Sequence, residues 1–182
     1  MLAKYSFKLK SEDRRRDLPE KIIIGRQTLD TIEHVVLKML SFVLFYRERI
    51  QIDVNLHDDS IPYVPDIVQL DYELRPKLWI ECGECPVSKL DRLAVKVPEA
   101  EIWAVLRSES LANDLCKTMT KAGLRRNRYG IVGLDEAMFA EICELLKARN
   151  EVFWVHSEFD PPSLKFDFNG LWFDASFSVL KF

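Results

Sequence analysis

The chain has 182 residues, 48% of them hydrophobic and 30% charged, and its 26 basic and 29 acidic side chains give a net charge of −3. This length and composition are typical of one globular domain and exclude a chain that is disordered throughout. The near-neutral balance also excludes the strongly basic proteins that coat nucleic acids, although it is compatible with local basic patches. We expect a single domain that spans residues 1–182.

The hydrophobic pattern of the first half predicts strands around one long helix. Tyr5, Phe7 and Leu9 alternate with polar residues, which is typical of a half-buried strand. Over residues 29–43 apolar side chains recur at helical spacing, which predicts a deeply packed helix. In chain order we predict strands over residues 4–10 and 21–24, a helix over 28–46, strands over 50–56, 66–72 and 77–83, and a short helix over 88–95.

The second half is predicted to alternate strands with helices and to end in strands. Residues 102–106 are continuously apolar, as strands of parallel sheets covered on both faces are. We predict strands over 101–106 and 129–132, helices over 111–122 and 135–149, and C-terminal strands over 151–156, 164–168, 171–173 and 177–180. This order indicates an α/β core in which an antiparallel meander leads into parallel strands, with the C-terminal strands as an appended sheet or edge.

The apolar stretches are all too short to cross a membrane. The longest, residues 35–46, is interrupted by Lys38 and Ser41, whereas a membrane span needs about 20 apolar residues. The first ten residues lack the apolar core of a signal peptide. We therefore expect a cytoplasmic protein with no membrane partner.

Two of the four cysteines, Cys82 and Cys85, form a C-x-x-C motif. A structural zinc site would need a second pair of ligands at similar spacing, and Cys116 and Cys143 lie far apart. We therefore expect no zinc. A thiol-redox pair is an open alternative, but two half-buried thiols in a reducing compartment are the preferred interpretation.

Two carboxylates in the predicted hairpin of residues 66–83 suggest a site. If the turn is centred between Glu73 and Leu74, Asp66 lies opposite Glu81, with Cβ atoms about 5 Å apart. Facing carboxylates resist ionisation unless a cation lies between them, and Mg²⁺ is a natural partner of such oxygens. The alternative is that Asp66 caps its strand and Glu81 lies on a solvated sheet face.

Several motifs together resemble the PD-(D/E)XK nuclease-like superfamily and, within it, the bacterial YaeQ-like family. They are Pro65-Asp66 before an apolar strand, Leu78-Trp79-Ile80-Glu81-Cys82-Gly83, the segment Asp30-Thr31-Ile32-Glu33-His34 before a Leu-rich helix, and Ser88-Lys89-Leu90-Asp91-Arg92. The resemblance covers roughly the first 110 residues. It implies a restriction-endonuclease-like core, a mixed sheet flanked by helices, with residues 1–108 as the nuclease-like part and 109–182 as the remaining helices and strands.

The resemblance also implies a site in which Glu33, Asp66 and Glu81 bind one Mg²⁺ ion and Asp66 and Glu81 take part in catalysis. The catalytic lysine position of the superfamily is occupied by Gly83, as in YaeQ-like proteins, and glycine cannot stabilise charge on a phosphate. Lys89 is the candidate that would replace this lysine.

Two other side chains on the predicted long helix are polar or charged and lie near these motifs. Lys38, on the long helix, is a second candidate to replace the lysine missing at Gly83. His34 is interpreted as a helix residue whose hydrogen bonds are satisfied locally, because the sequence offers it no triad partner.

Basic residues that would contact a DNA or RNA backbone lie in two groups. Lys89, Arg92 and Lys96 are spaced by three and four residues on one predicted helix, and Arg125, Arg126 and Arg128 lie in one predicted loop. A solvated surface is the alternative for each group. Residues 14–16 form a third cluster of three arginines.

The sequence therefore leaves two main functions open. One is a Mg²⁺-dependent nuclease, or a degenerate descendant that still binds nucleic acid. The other is a non-catalytic module that binds a protein partner and keeps a vestigial metal site. The phosphate-loop and dinucleotide-binding glycine motifs are absent from the sequence, so we expect no nucleotide cofactor.

Overall fold

A computed structural model describes residues 3–182. In chain order these residues form β1 (Ala3–Ser11), β2 (Lys21–Arg26), α1 (Ile32–Leu44), β3 (Ile50–Ile52), β4 (Ile67–Leu70), β5 (Pro76–Cys82), α2 (Val87–Lys96), β6 (Glu101–Leu106), α3 (Glu109–Lys121), β7 (Tyr129–Gly133), α4 (Glu136–Leu145), β8 (Arg149–Phe159), β9 (Pro162–Phe168), β10 (Leu171–Ser176) and β11 (Ser178–Lys181). The predicted order of strands and helices is confirmed. None of the helices in this range is both long and apolar enough to span a membrane.

Two predicted elements end four residues earlier than their sequence patterns indicate. β3 stops at Ile52 rather than at residue 56, because Asp53 adopts a left-handed conformation with φ 53°. α4 stops at Leu145 rather than at residue 149, because Leu146 is extended and the chain enters β8 at Arg149.

The strands form two mixed sheets. The first sheet has the order β10-β9-β8-β1-β2, and the second has the order β11-β7-β6-β5-β4-β3. The pairs β1–β8, β5–β6 and β6–β7 are parallel, and the other pairs are antiparallel. The C-terminal strands were expected to form an appended sheet or edge. They form no sheet of their own, since β8 pairs with β1, but β10 and β11 are edge strands of the first and the second sheet.

The long helix α1 lies between the two sheets. One apolar cluster joins the inner face of the first sheet, α1, α4 and one face of the second sheet. A second cluster joins the opposite face of the second sheet to α2 and α3. Residues 35–44 of α1 are buried all round, as expected of a helix covered on two sides.

The β4–β5 pair positions the predicted carboxylates. Ile67 lies opposite Ile80 and Val68 lies opposite Trp79, so the register predicted from the sequence is confirmed. A shift at Gln69 and Leu70 changes the register only near the turn. Asp66, which precedes β4, is therefore next to Glu81 at the end of this pair.

Candidate functional site

Asp66 is fixed by contacts to β5 and α1. Its Oδ2 accepts a hydrogen bond from the backbone N–H of Cys82 at 2.7 Å. Its Oδ1 lies 2.9 Å from Nε2 of His34 and 3.3 Å from Nζ of Lys38. Burial raises the pKa of Asp66, but these donors outweigh burial and hold the pKa below its usual value.

Lys38 is a buried cation among three carboxylates. Its side chain is 3% exposed, and its Nζ lies 2.6 Å from Asp53, 3.3 Å from Asp66 and 3.8 Å from Asp30. Burial lowers the pKa of Lys38, but the hydrogen bond to Asp53 and the three negative charges raise it above its usual value. The ammonium group therefore stays charged and offsets part of the negative charge of these carboxylates.

His34 connects two of the same aspartates. Its Nδ1 lies 3.0 Å from Asp30 and its Nε2 lies 2.9 Å from Asp66. The expectation that His34 is satisfied locally is corrected, because Asp66 is 32 residues away in sequence. Burial lowers the pKa of His34, but the hydrogen bond and charge of Asp66 raise it above its usual value. With both ring nitrogens beside carboxylates, the imidazolium form donates twice and offers a substrate no free base.

The aspartates and cations around Lys38 form what we call the Lys38 cluster: Asp30, His34, Lys38, Asp53 and Asp66. Three carboxylates face one lysine and one histidine. Burial raises the pKa of Asp53 above its usual value, against the opposing pull of Lys38. Asp53 is therefore the carboxylate of the cluster that takes up a proton most readily as the pH falls.

Glu81 points to the other side of the second sheet and has its own cation. Its Oε1 accepts a hydrogen bond from Nε1 of Trp79 at 2.8 Å, and its Oε2 accepts one from Nζ of Lys89 at 2.7 Å. Burial raises the pKa of Glu81 despite the charge of Lys89. The structure thus brings Lys89, the candidate replacement for the lysine missing at Gly83, into contact with Glu81.

Glu33 does not join these residues. It is exposed in the first turn of α1, and within residues 3–182 it shares no hydrogen bond or ion pair with Asp66 or Glu81. Hydrogen bonds at the start of its own helix, with a smaller contribution from the charge of Arg107, lower the pKa of Glu33. Glu33 lines a pocket of about 450 Å³ that also contains Leu29, His34, Gly83 and Arg107.

The carboxylates as arranged do not form the ligand set of a Mg²⁺ ion. Asp66 and Glu81 each have a lysine ammonium group where a shared cation would lie. Among residues 3–182 no group of three or more His, Cys, Asp or Glu side chains has the arrangement of a metal centre. The Mg²⁺ site on Glu33, Asp66 and Glu81 stays a prediction.

Gly83 has a backbone reason to be glycine. Its φ is +91°, and its N–H donates to the carbonyl oxygen of Val105 at 2.8 Å. Side chains other than glycine rarely adopt this conformation. A lysine at this position would therefore strain the end of β5, which separates this chain further from the nuclease pattern.

The basic residues predicted on α2 lie beside an aromatic ring that sequence reasoning missed. Nζ of Lys89 lies 5.5 Å from the centre of the Tyr63 ring, and Arg92 donates to the Tyr63 hydroxyl at 3.4 Å. Arg92 and Lys96 are exposed. Tyr63 lies in an irregular segment without hydrophobic periodicity, so no sequence signal placed it beside α2.

The predicted arginines of the loop before β7 have different roles. Arg128 donates to the backbone carbonyls of Ala100 at 2.7 Å and Val97 at 2.8 Å, so its guanidinium is used to hold the end of α2. Arg126 lies over the Phe182 ring at 4.0 Å, and Arg125 is exposed. Arg125 is thus the member of the group best placed to meet a ligand.

The two cysteines of the C-x-x-C motif are both free thiols. Burial raises the pKa of Cys85 to about 12 and raises that of Cys82 well above its usual value. A reactive redox thiol has a lowered pKa. The raised pKa values favour two protonated thiols, one buried and one half-buried, over a redox pair.

Comparisons with known proteins give a consistent result. The sequence profile of a family described as "YaeQ protein" matches residues 2–155. The structure is similar to the YaeQ protein from Xanthomonas axonopodis pv. citri, with a TM-score of 0.72 and 16% identity over 98% of this chain and 97% of that one. It is also similar to the YaeQ protein from Pseudomonas syringae, with a TM-score of 0.75 and 15% identity over 99% of this chain and 96% of that one. A search of curated sequences finds no significant match.

Proposed function

The chain belongs to the YaeQ family, and on that premise we propose that it is a degenerate nuclease-like protein that binds the DNA or RNA backbone along α2. The observation that carries the proposal is the pair Arg92 and Lys96, which are exposed one helical turn apart on α2 and form no ion pair within residues 3–182. Lys89 precedes them on the same helix and is held 2.7 Å from the buried Glu81.

The surface that would bind the backbone consists of Tyr63, Lys89, Arg92, Lys96 and Arg125, which we call the α2 surface. Its cations are side chains that can meet phosphates, and its tyrosine offers a ring for stacking. Arg92 and Lys96 have no ion pair within residues 3–182. Each of them that meets a phosphate releases counterions, so binding would weaken with salt.

The proposal assigns binding rather than cleavage because both candidate lysines are already engaged. Lys38 is held by ion pairs with three aspartates, and Lys89 is held by an ion pair with Glu81. A lysine that stabilises charge on a phosphate in the transition state must be available to that phosphate. Gly83 supplies no replacement.

Fluorescence anisotropy with labelled DNA and RNA at several salt concentrations tests the proposal. We expect salt-dependent binding that weakens in Arg92→Gln/Lys96→Gln, with a salt slope smaller by about 1.4 to 1.8 for two lost contacts. The control is Lys117→Gln/Lys121→Gln on α3, which removes the same charge from exposed positions and should bind as the wild type does.

Two outcomes would overturn the proposal. Cleavage that requires added Mg²⁺ or Mn²⁺ and disappears in both Asp66→Asn and Glu81→Gln would establish a nuclease instead. Absence of binding to every probe at low salt would leave the protein-interaction module as the function to test.

A further inference from the structure

The outer face of the first sheet carries a groove that none of the residues considered so far explains. Inner side chains such as Phe7 and Phe166 are fully buried, whereas their outward neighbours on the same strands point away from the core. We propose that this face binds single-stranded nucleic acid. The proposal does not rest on the α2 surface, whose helix packs on the second sheet.

The groove is lined by cations that lack partners. Two adjoining pockets of about 710 and 300 Å³ share Lys8 and Glu151, so they form one continuous depression across the sheet. We call this depression the outer groove, and its exposed cations are Lys8, Lys10, Lys21, Lys147 and Arg149. Within residues 3–182 none of the five forms an ion pair.

Acidic side chains only partly offset this charge. Glu20, Glu151 and Asp167 also line the outer groove, so five cations face three carboxylates. The Asp167 carboxylate accepts a hydrogen bond from the N–H of Gly170 at 2.8 Å. An excess of unpaired, exposed cations in a groove is complementary to a chain of phosphates.

Two aromatic side chains, one in the outer groove and one beside it on the same face, offer surfaces on which bases can stack. Phe153 is 36% exposed and Trp172 is 51% exposed. The pairing of β8, β9 and β10 places Phe153 opposite Asp167 and Asp167 opposite Trp172. Because adjacent strands lie about 4.8 Å apart, the backbones of the two aromatic residues are about 10 Å apart on one row of the sheet.

The same row ends in a cation. Lys10 lies beside Phe153 in the parallel pairing of β1 and β8, and Lys8 lies beside Glu151 one step away. A sheet that presents aromatic rings with neighbouring lysines suits unstacked bases and the phosphates between them. The bases of a duplex are already stacked on each other, so this geometry favours single strands.

Trp172 provides a direct signal for the test. The chain has four tryptophans, and the other three, Trp79, Trp103 and Trp154, are 0%, 6% and 0% exposed. A base that stacks on the outer groove should therefore quench the fluorescence of Trp172. We expect oligo-dT and oligo-U 20-mers to quench it and a hairpin duplex of equal charge to leave it unchanged.

Variants separate this groove from the α2 surface. Lys8→Gln/Lys10→Gln should reduce the salt slope for the single strand by about 1.4, and Phe153→Ala should weaken its binding at least about fivefold. Arg92→Gln/Lys96→Gln removes the same charge from the α2 surface and should keep the quenching. Trp172→Phe should lose the quenching while it retains most of the affinity. Melting temperatures check that each variant folds.

Four results would overturn the proposal. The first is that the wild type binds no single strand at low salt, and the second is that Lys8→Gln/Lys10→Gln weakens binding of single strand and duplex equally while neither quenches Trp172. The third is that only the Arg92→Gln/Lys96→Gln control loses the quenching. The fourth is that Trp172 fluorescence falls with rising protein concentration when no oligonucleotide is present. The last result would assign the face to a second copy of the chain. None of the first three results would by itself contradict binding at the α2 surface.

Discussion

The two sheets of this protein are both mixed, but only the second is covered on both faces. α1 and α4 pack on one of its faces, and α2 and α3 pack on the other. The first sheet packs against α1 on its inner face and presents its outer face to solvent. The burial of individual strands shows this difference. In β6, residues 102–106 are all buried, whereas in β8 exposed and buried residues alternate from 149 to 154.

The same difference governs how each sheet carries charge. A charge buried beside a covered sheet needs a partner, because removal from water is costly. Lys38 and Glu81 accordingly each have a partner of opposite charge within 2.7 Å. On the exposed face charges need no partner, and those of the outer groove have none within residues 3–182. The buried charges of the covered sheet thus hold the fold, whereas the cations of the outer groove are available to a ligand. Lys165 and Asp174, on the same outer face, instead pair with each other at 3.1 Å.

The largest effects are expected from truncating neighbouring residues in the two sheets. In β5, Trp79→Ala should cost about 3–5 kcal/mol and Ile80→Ala about 2–5 kcal/mol of unfolding free energy, since both side chains are fully buried. In β8, Trp154→Ala should cost about 3–5 kcal/mol, whereas Phe153→Ala should cost less than about 1 kcal/mol. Urea unfolding of the four variants measures these differences. Equal losses at Phe153 and Trp154 would show that the outer face is covered.

A smaller loss is expected from removing the buried cation of the Lys38 cluster. Lys38→Met keeps most of the side-chain volume but leaves Asp30, Asp53 and Asp66 without their ammonium partner, which should cost about 3 kcal/mol. This expected loss of unfolding free energy is small for a broken buried ion pair, because the raised pKa of Asp53 lets its carboxyl group take up a proton.

The matched control for Lys38→Met lies on the exposed sheet. Lys10→Met removes a lysine that has no ion pair within the described residues and should change the unfolding free energy by less than about 0.5 kcal/mol. If the two substitutions lower the unfolding free energy equally in thermal or urea unfolding, the two lysines do not differ in their contribution to stability, and the contrast between the two sheets is wrong.

The sequence predicts the features of this molecule that depend on residues close together in the chain. The β4–β5 register follows from two apolar strands and one short turn, and the reach of Lys89 follows from its place in the helix after β5. The parallel pairing of β1 with β8 joins residues more than 140 positions apart, and no local pattern signals it. Lys38 was a candidate for the missing lysine, and its Nζ lies 3.3 Å from Asp66. Its contact with Asp53 was missed, because alternation predicted a continuing strand at Asp53, whereas this residue is left-handed.

The smallest of these effects is a pH dependence of stability at His34, and its sign follows from the contacts of the cluster. The pKa of His34 is raised above 6.5, so its contribution is fully present below pH 6.5 and is lost as the pH rises through the raised value. The pKa of Asp66 is lowered below 3.8, so its contribution is present above pH 3.8 and is lost only in stronger acid. The unfolding free energy of wild type minus that of His34→Gln should therefore be largest between pH 3.8 and 6.5.

A double-mutant cycle with Asp66→Asn assigns this pH dependence to the His34–Asp66 contact. If the contact causes it, His34→Gln should have a smaller effect when Asp66 is already replaced, and the decline above pH 6.5 should flatten. A difference that grows with pH would mean that His34 is held in its neutral form. In that case one ring nitrogen would be free to accept a proton, and the covered sheet would offer a base to a substrate after all.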